Sequence, residues 1–218
     1  MKRINIITGH FGSGKTEFAI NLAQKQTMYE KSVIADMDTV NPYFRTNDAR
    51  KSLEEKGIKV LASDYASSNL DIPSLPSDLY SLFDVEDRFA VLDVGGDEDG
   101  ATVLGRFYNK LKDADYDMYM VINARRVLSQ TADEIITFMR EIEVASRLKI
   151  TKLVNNTNLS VETTPEVLLE GQKVVEEVSL KTGLPIAYIT GTKEILDKIP
   201  DTVKAPRLCL DLNMNLPF

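Results

Sequence analysis

Residues Gly9-His10-Phe11-Gly12-Ser13-Gly14-Lys15-Thr16 form a complete G-x-x-x-x-G-K-T pattern. No other feature of the chain restricts the fold as much, because the pattern works only between a strand and a helix. Its glycines let the backbone curl so that successive N–H groups converge on an anion. Ordinary residue frequencies give roughly a 1% chance of the pattern in a chain this long. Its flanks fit as well. Ile4-Asn5-Ile6-Ile7-Thr8 reads as a buried strand, and Phe18, Ala19, Leu22 and Ala23 recur at helical spacing. The helix that follows aims its positive end at the same anion. Lys15 is placed to neutralise β- and γ-phosphates, and the Thr16 hydroxyl to coordinate Mg²⁺. The nucleotide-contact set expected from the pattern is Gly9, Phe11, Gly12, Ser13, Gly14, Lys15, Thr16 and Glu17.

Strand and helix signals then alternate along the chain. Strands are expected at 32–35, 58–62, 89–92, 116–122, 150–154 and 186–189, making seven with the first. Helices are expected at 46–56, 101–112, 129–146 and from Thr164-Pro165 to about Lys181. Thr131 and Glu134 have capping-box spacing, and Gly57 and Gly183 stand where helix C-terminal caps belong. This alternation implies one α/β domain over 1–218, with a three-layer, mostly parallel seven-stranded sheet and helices on both faces. Two segments depart from it. Ser63–Asp87 is a long Ser-, Asp- and Pro-rich connection with a short helix expected near Asp78–Phe83. The tail Arg207–Asn215 alternates like a strand, which could pair at the sheet edge or across a subunit interface.

In such a sheet, ligands bind at the carboxyl ends of the strands, and the informative acidic residues stand there. Asp93 ends an apolar strand and is a candidate Mg²⁺ ligand. Gly96 completes D-x-x-G, where a backbone N–H can reach a γ-phosphate. Asp36 and Asp38 flank Met37, so both carboxylates could face the nucleotide. Asp38 is the stronger candidate for orienting the attacking water or joining the metal shell. Turn chemistry accounts equally well for Asp36.

The other sequence properties mainly exclude. The 218 residues carry a net charge of −7, against the clustered basic charge that nonspecific DNA binding requires. The one cysteine, Cys209, permits neither an internal disulfide nor a C-x-x-C metal site. No stretch approaches the roughly 18 apolar residues of a membrane-spanning helix, and the run after Met1-Lys2-Arg3 is too short for a signal peptide. A cytoplasmic protein with neither nucleic-acid nor membrane partners is expected.

Taken together, Gly9–Thr16, Asp36-x-Asp38, Leu92-Asp93-x-Gly95-Gly96 and Lys152-Leu153-Val154-Asn155 resemble the MinD/ParA/CobQ-type P-loop ATPases of the SIMIBI class, over nearly the whole chain. The resemblance implies a switch role supporting hydrolysis for Asp38, a Walker B and second switch segment at Asp93–Gly96, and an adenine contact from Asn155. It implies catalytic duties for Lys15, Asp38 and Gly96, and metal duties for Thr16, Asp38 and Asp93. Many members carry a second lysine after the first loop glycine, which reaches across a dimer; this chain has His10 there. Arg45, Arg125 or Arg126 could supply compensating charge. Asn155-Asn156-Thr157-Asn158 stands where guanine sites of this fold carry N-K-x-D, and an amide at 158 is the poorer acceptor for two guanine donors, so ATP is favoured over GTP.

The function expected is a Mg²⁺-dependent, slow ATPase acting as a nucleotide-dependent switch, with ATP/ADP as ligand and a protein partner or a second copy as its audience. Two alternatives stand beside it. One is an ATP-dependent small-molecule phosphotransferase or ligase of the dethiobiotin-synthetase type, with Ser63–Asp87 enclosing an acceptor. The other is a nucleotide-sensing adaptor that does not hydrolyse.

Overall fold

The computed structural model describes residues 1–37, 49–61, 78–84, 87–96 and 98–212. Asp38, Arg45, most of the Ser63–Asp87 connection and the last six residues therefore lie outside the described residues.

The elements run β1 (Ile4–Thr8), α1 (Lys15–Thr27), β2 (Ser32–Asp36), α2 (Arg50–Glu55), β3 (Ile58–Leu61), α3 (Asp78–Asp84), β4 (Phe89–Asp93), α4 (Glu98–Gly105) and α5 (Tyr108–Leu111). They continue β5 (Tyr116–Ile122), α6 (Ala132–Ser146), β6 (Lys152–Asn155), a 3₁₀ turn (Ser160–Glu162), α7 (Pro165–Thr182), β7 (Ile186–Gly191), α8 (Lys193–Leu196) and β8 (Arg207–Cys209). All the strands join one parallel sheet in the order β3-β2-β4-β1-β5-β6-β7-β8.

The eighth strand is the alternating tail, paired at the sheet edge with β7 rather than left for a neighbouring subunit. It is shorter than its alternation suggests. Leu208 and Leu210 turn into the core, and the next residue leaves the ladder: the Asp211 N–H donates to Asn21 Oδ1 on α1 at 2.8 Å. The single helix expected over 101–112 is two, broken between Gly105 and Tyr108. Glycine is a weak helix former, and the break buries Phe107.

The two faces of the sheet are set by strict alternation. Ile4 and Ile6, Ala90 and Leu92, and Met118, Met120 and Ile122 pack under α4, α6 and α7. Ile7, Phe89 and Val91, Tyr119 and Val121 pack under α1 and α2. Burial on both faces explains why these strands read as unbroken apolar runs. The expected capping box forms: Thr131 Oγ1 accepts from the Glu134 N–H at 3.3 Å, and Glu134 Oε2 accepts from the Thr131 N–H at 3.0 Å. The Thr131 N–H, with the Gln130 N–H, holds the Glu134 carboxyl below the usual carboxylate range. Among the described residues, no helix is long and apolar enough to cross a membrane.

One polar cluster is built into the amino-terminal edge of the sheet. Asp117, 2% exposed, accepts through Oδ2 from Lys152 Nζ at 2.6 Å and from the Lys2 N–H at 3.2 Å. It stitches the start of β1 to β5 and β6. Burial and the Asp117 charge push the Tyr119 phenol far up from its ordinary value. Asp117→Ala should lower unfolding free energy by about 3 kcal/mol in a denaturant titration; a loss within the scatter of a surface substitution would show that the cluster is not an anchor.

Candidate nucleotide-binding site

The sheet order creates a crevice at the carboxyl end of β1. The chain leaves β1 for β2 on one side, and leaves β4 for β5 on the other, so the two connections part above β1 and β4. Such a point is where ligands bind open α/β sheets. The alternation that builds the core also aims side chains here. Ile34, Val91 and Val154 lie on the α1 face, so Asp36, Asp93 and Asn156, two residues further on, project toward the same side. Asp36 and Asp93 are register partners, and Asp93 is also paired with Ile7 of β1. Asp93 is 3% exposed and Asp36 half-buried.

The loop between β1 and α1 is wound tightly. The Ser13 N–H donates to His10 O at 3.0 Å, and Gly14, with φ +84°, is the residue before α1. No side chain caps that helix, so its first N–H groups are presented to the crevice. Lys15 is 9% exposed and Ser13 1%. The Ser13 hydroxyl is buried with no hydrogen-bond partner among the described residues, as expected of a group that waits for an anion. Thr16 is half-buried on the first turn. A phosphate chain thus fits these residues, and Thr16 and Asp93 are the groups among those described that would hold a magnesium ion with it.

Close approach requires glycine at positions 14 and 96. A methyl group on Gly14 would lie 2.3 Å from Asn156 Nδ2, in a backbone conformation already foreign to side chains. A methyl group on Gly96 would lie 2.5 Å from Gly9 O and 2.6 Å from Lys15 Nζ. The segment after β4 therefore rests directly on the phosphate loop and its lysine. It is backed in turn by α4, because a methyl group on Gly100 would lie 2.6 Å from the Gly95 Cα.

The asparagines after β6 divide their work. Asn155 is fully buried; its Nδ2 donates to Leu168 O at 3.2 Å and to Gln172 Oε1 at 3.0 Å, and its Oδ1 accepts from the Thr157 N–H. Both amide hydrogens are committed to interior partners on α7, so in this conformation Asn155 has none to offer adenine. The residue that meets the loop is Asn156, whose Nδ2 donates to Ser13 O at 2.7 Å while its Oδ1 accepts from Thr190 Oγ1 at 2.6 Å. The alternation Leu153, Val154, Asn155, Asn156 carried this information, since only even positions fall on the α1 face. Asn158 is also occupied: its Nδ2 donates to Asn156 O and its Oδ1 accepts from the Ser160 N–H.

The remaining expected residues sort as follows. His10 packs its ring on Phe138 of α6, with centroids 5.0 Å apart. Phe11 is 62% exposed at the loop tip. Glu17 accepts from Asn21 Nδ2 through Oε1 at 3.2 Å, and Asn21 also donates to Asp211 O, so α1 carries the tail. Arg125 is paired with Glu170 of α7, whereas Arg126 Nε donates to Gly12 O at 3.0 Å. Asp38, given both catalytic and metal roles above, lies outside the described residues.

No protein-family model and no curated protein matches the sequence. The fold does match solved structures. The cell division protein FtsY of Thermotoga maritima aligns with a TM-score of 0.56 at 17% identity, covering 87% of this chain and 62% of that one. The signal recognition particle receptor FtsY of Elizabethkingia anophelis, in complex with GDP, aligns at 0.55 and 18% identity, covering 87% and 57%. Chloroplast FtsY of Physcomitrella patens aligns at 0.57 and 11% identity, covering 87% and 58%. The chain thus spans less than two thirds of the length of these structures. The chain shares the fold of these FtsY structures.

Asn155→Ala should cost about 2 kcal/mol of stability, because it leaves buried partners on α7 unpaired. Asn156→Ala should in addition speed amide hydrogen exchange at 12–15. Equal exchange there in both variants would show that Asn156 does not secure the loop.

Proposed function

We propose that this chain binds a nucleoside triphosphate with Mg²⁺ at Gly9–Thr16 and works as a slow, nucleotide-dependent switch. The observation that carries this reading is the contact of Gly96 with Gly9 O and Lys15 Nζ. A γ-phosphate drawn to Lys15 has to be accommodated where Gly96 now rests. Binding and loss of that phosphate would therefore move the segment after β4, and with it Gly95 and α4. Movements of this kind are how terminal phosphates set the switch loops of such folds.

In this mechanism the loop N–H groups and Lys15 hold the β- and γ-phosphates, and the Gly96 N–H stabilises charge on the transferring phosphoryl group. Magnesium, held by Thr16 and Asp93, would neutralise the phosphate oxygens. Asp38, on the sequence pattern, would orient the attacking water. The reaction is displacement at the γ-phosphorus by water, releasing ADP and inorganic phosphate.

We favour adenine over guanine. Two donors on the guanine edge call for a carboxylate, and position 158 supplies an amide already bonded on both sides. The E. anophelis FtsY complex holds GDP, so the experiment must compare the two bases directly. Calorimetry with Mg²⁺ should give ATP binding tighter than GTP by about tenfold, and GTP binding as tight or tighter would reverse the base assignment. Lys15→Ala should abolish triphosphate binding. Asp38→Ala should retain it while phosphate release falls by about a hundredfold; unchanged release would remove Asp38 from the mechanism.

A further inference from the structure

We infer, on the nucleotide-binding reading above, that Arg126 is the second cation of the phosphate site, supplied by this chain itself from the loop after β5. Its Nε donates to Gly12 O at 3.0 Å, and its guanidinium lies close to the glycine: a methyl group on Gly12 would sit 3.0 Å from Nε and 3.2 Å from Cζ. Gly12 is not one of the glycines the G-x-x-x-x-G-K-T pattern demands. Here its φ of +74° strains any side chain, and the overlying guanidinium would have to give way to one. A guanidinium has five N–H donors. The Nε–H is spent on Gly12, and the four on Nη1 and Nη2 have no hydrogen-bond partner among the described residues.

The backbone fixes Arg126 in that position. Its N–H donates to Asn123 O at 3.0 Å and its carbonyl accepts from the Ser129 N–H at 3.1 Å, so two consecutive turns share this residue. The second turn is closed by Leu128 at φ +63°, a conformation costly for leucine, with the side chain 58% exposed. The first turn is itself anchored, since the Ala124 N–H donates to Thr157 Oγ1 at 3.1 Å. The other candidate cations among the described residues are otherwise disposed. Arg125, one residue earlier, is turned to Glu170, and His10 is stacked on Phe138. A planar cation with free N–H groups, held at the rim of a polyanion cup, binds phosphate oxygens rather than merely bracing a carbonyl.

The test separates charge from bracing. Binding of AMP, ADP and ATP is measured by calorimetry for wild type, Arg126→Gln, Arg126→Lys and the control Arg125→Gln, at two salt concentrations, with thermal melts confirming folding. Arg126→Gln should weaken ATP on the order of tenfold, the scale of one charge-assisted hydrogen bond. The loss should shrink for ADP and nearly vanish for AMP. The salt dependence of ATP affinity should fall, Arg126→Lys should recover most of the loss, and Arg125→Gln should bind like wild type. Losses equal across the three nucleotides, or ATP binding by Arg126→Gln equal to wild type, overturn the role. Wild-type protein that binds no nucleotide overturns the nucleotide site itself and this role with it.

Discussion

The structure depends on a backbone bend that is possible only where side chains are missing. Between β1 and α1 the chain reverses within a few residues, under Gly96 and against Asn156. At Gly14 and Gly96, one added methyl group would meet a neighbour at 2.3–2.6 Å. Because the bend is that close to its surroundings, it is also coupled to them. The loop cannot change shape without moving the segment after β4 or the asparagine after β6. A site meant to register a terminal phosphate needs this property, and a looser cradle could bind phosphate without transmitting anything.

Three carboxyl-end loops converge on the bend by different means. The loop after β4 touches it by absence, through glycine backbone. The loop after β6 grips it by hydrogen bonds, through Asn156, which links Thr190 of β7 to Ser13. The loop after β5 reaches it with a charged side chain, Arg126. Position 10 does not point a cation at the phosphates; its ring leans on α6. Among the described residues, the cation that joins Lys15 at the loop is Arg126, from across the crevice rather than from the motif.

Much of this was legible in the chain. Each of the seven expected strands is present, because parallel strands covered on both faces must be continuously apolar and so stand out. Thr131, Thr164 and Gly183 marked helix ends correctly, since caps are local hydrogen-bond chemistry. The bend between β1 and α1 was legible for the same reason: it is a contiguous backbone shape. Asn155 shows the limit. The sequence placed two asparagines at the end of β6 without telling their directions apart: Asn155 turns to α7 and Asn156 to Ser13.

Sequence alone determined the sheet, its helices, the glycine bend and the acidic ends of β2 and β4, because each rests on periodicity or on neighbouring residues. Tertiary structure decided which polar side chains reach the bend. Asn156 over Asn155 and Arg126 over Arg125 are choices between adjacent residues of the same type. Adjacent residues differ only in direction, and direction is set by which face of the sheet, and which turn, the packed chain gives to each.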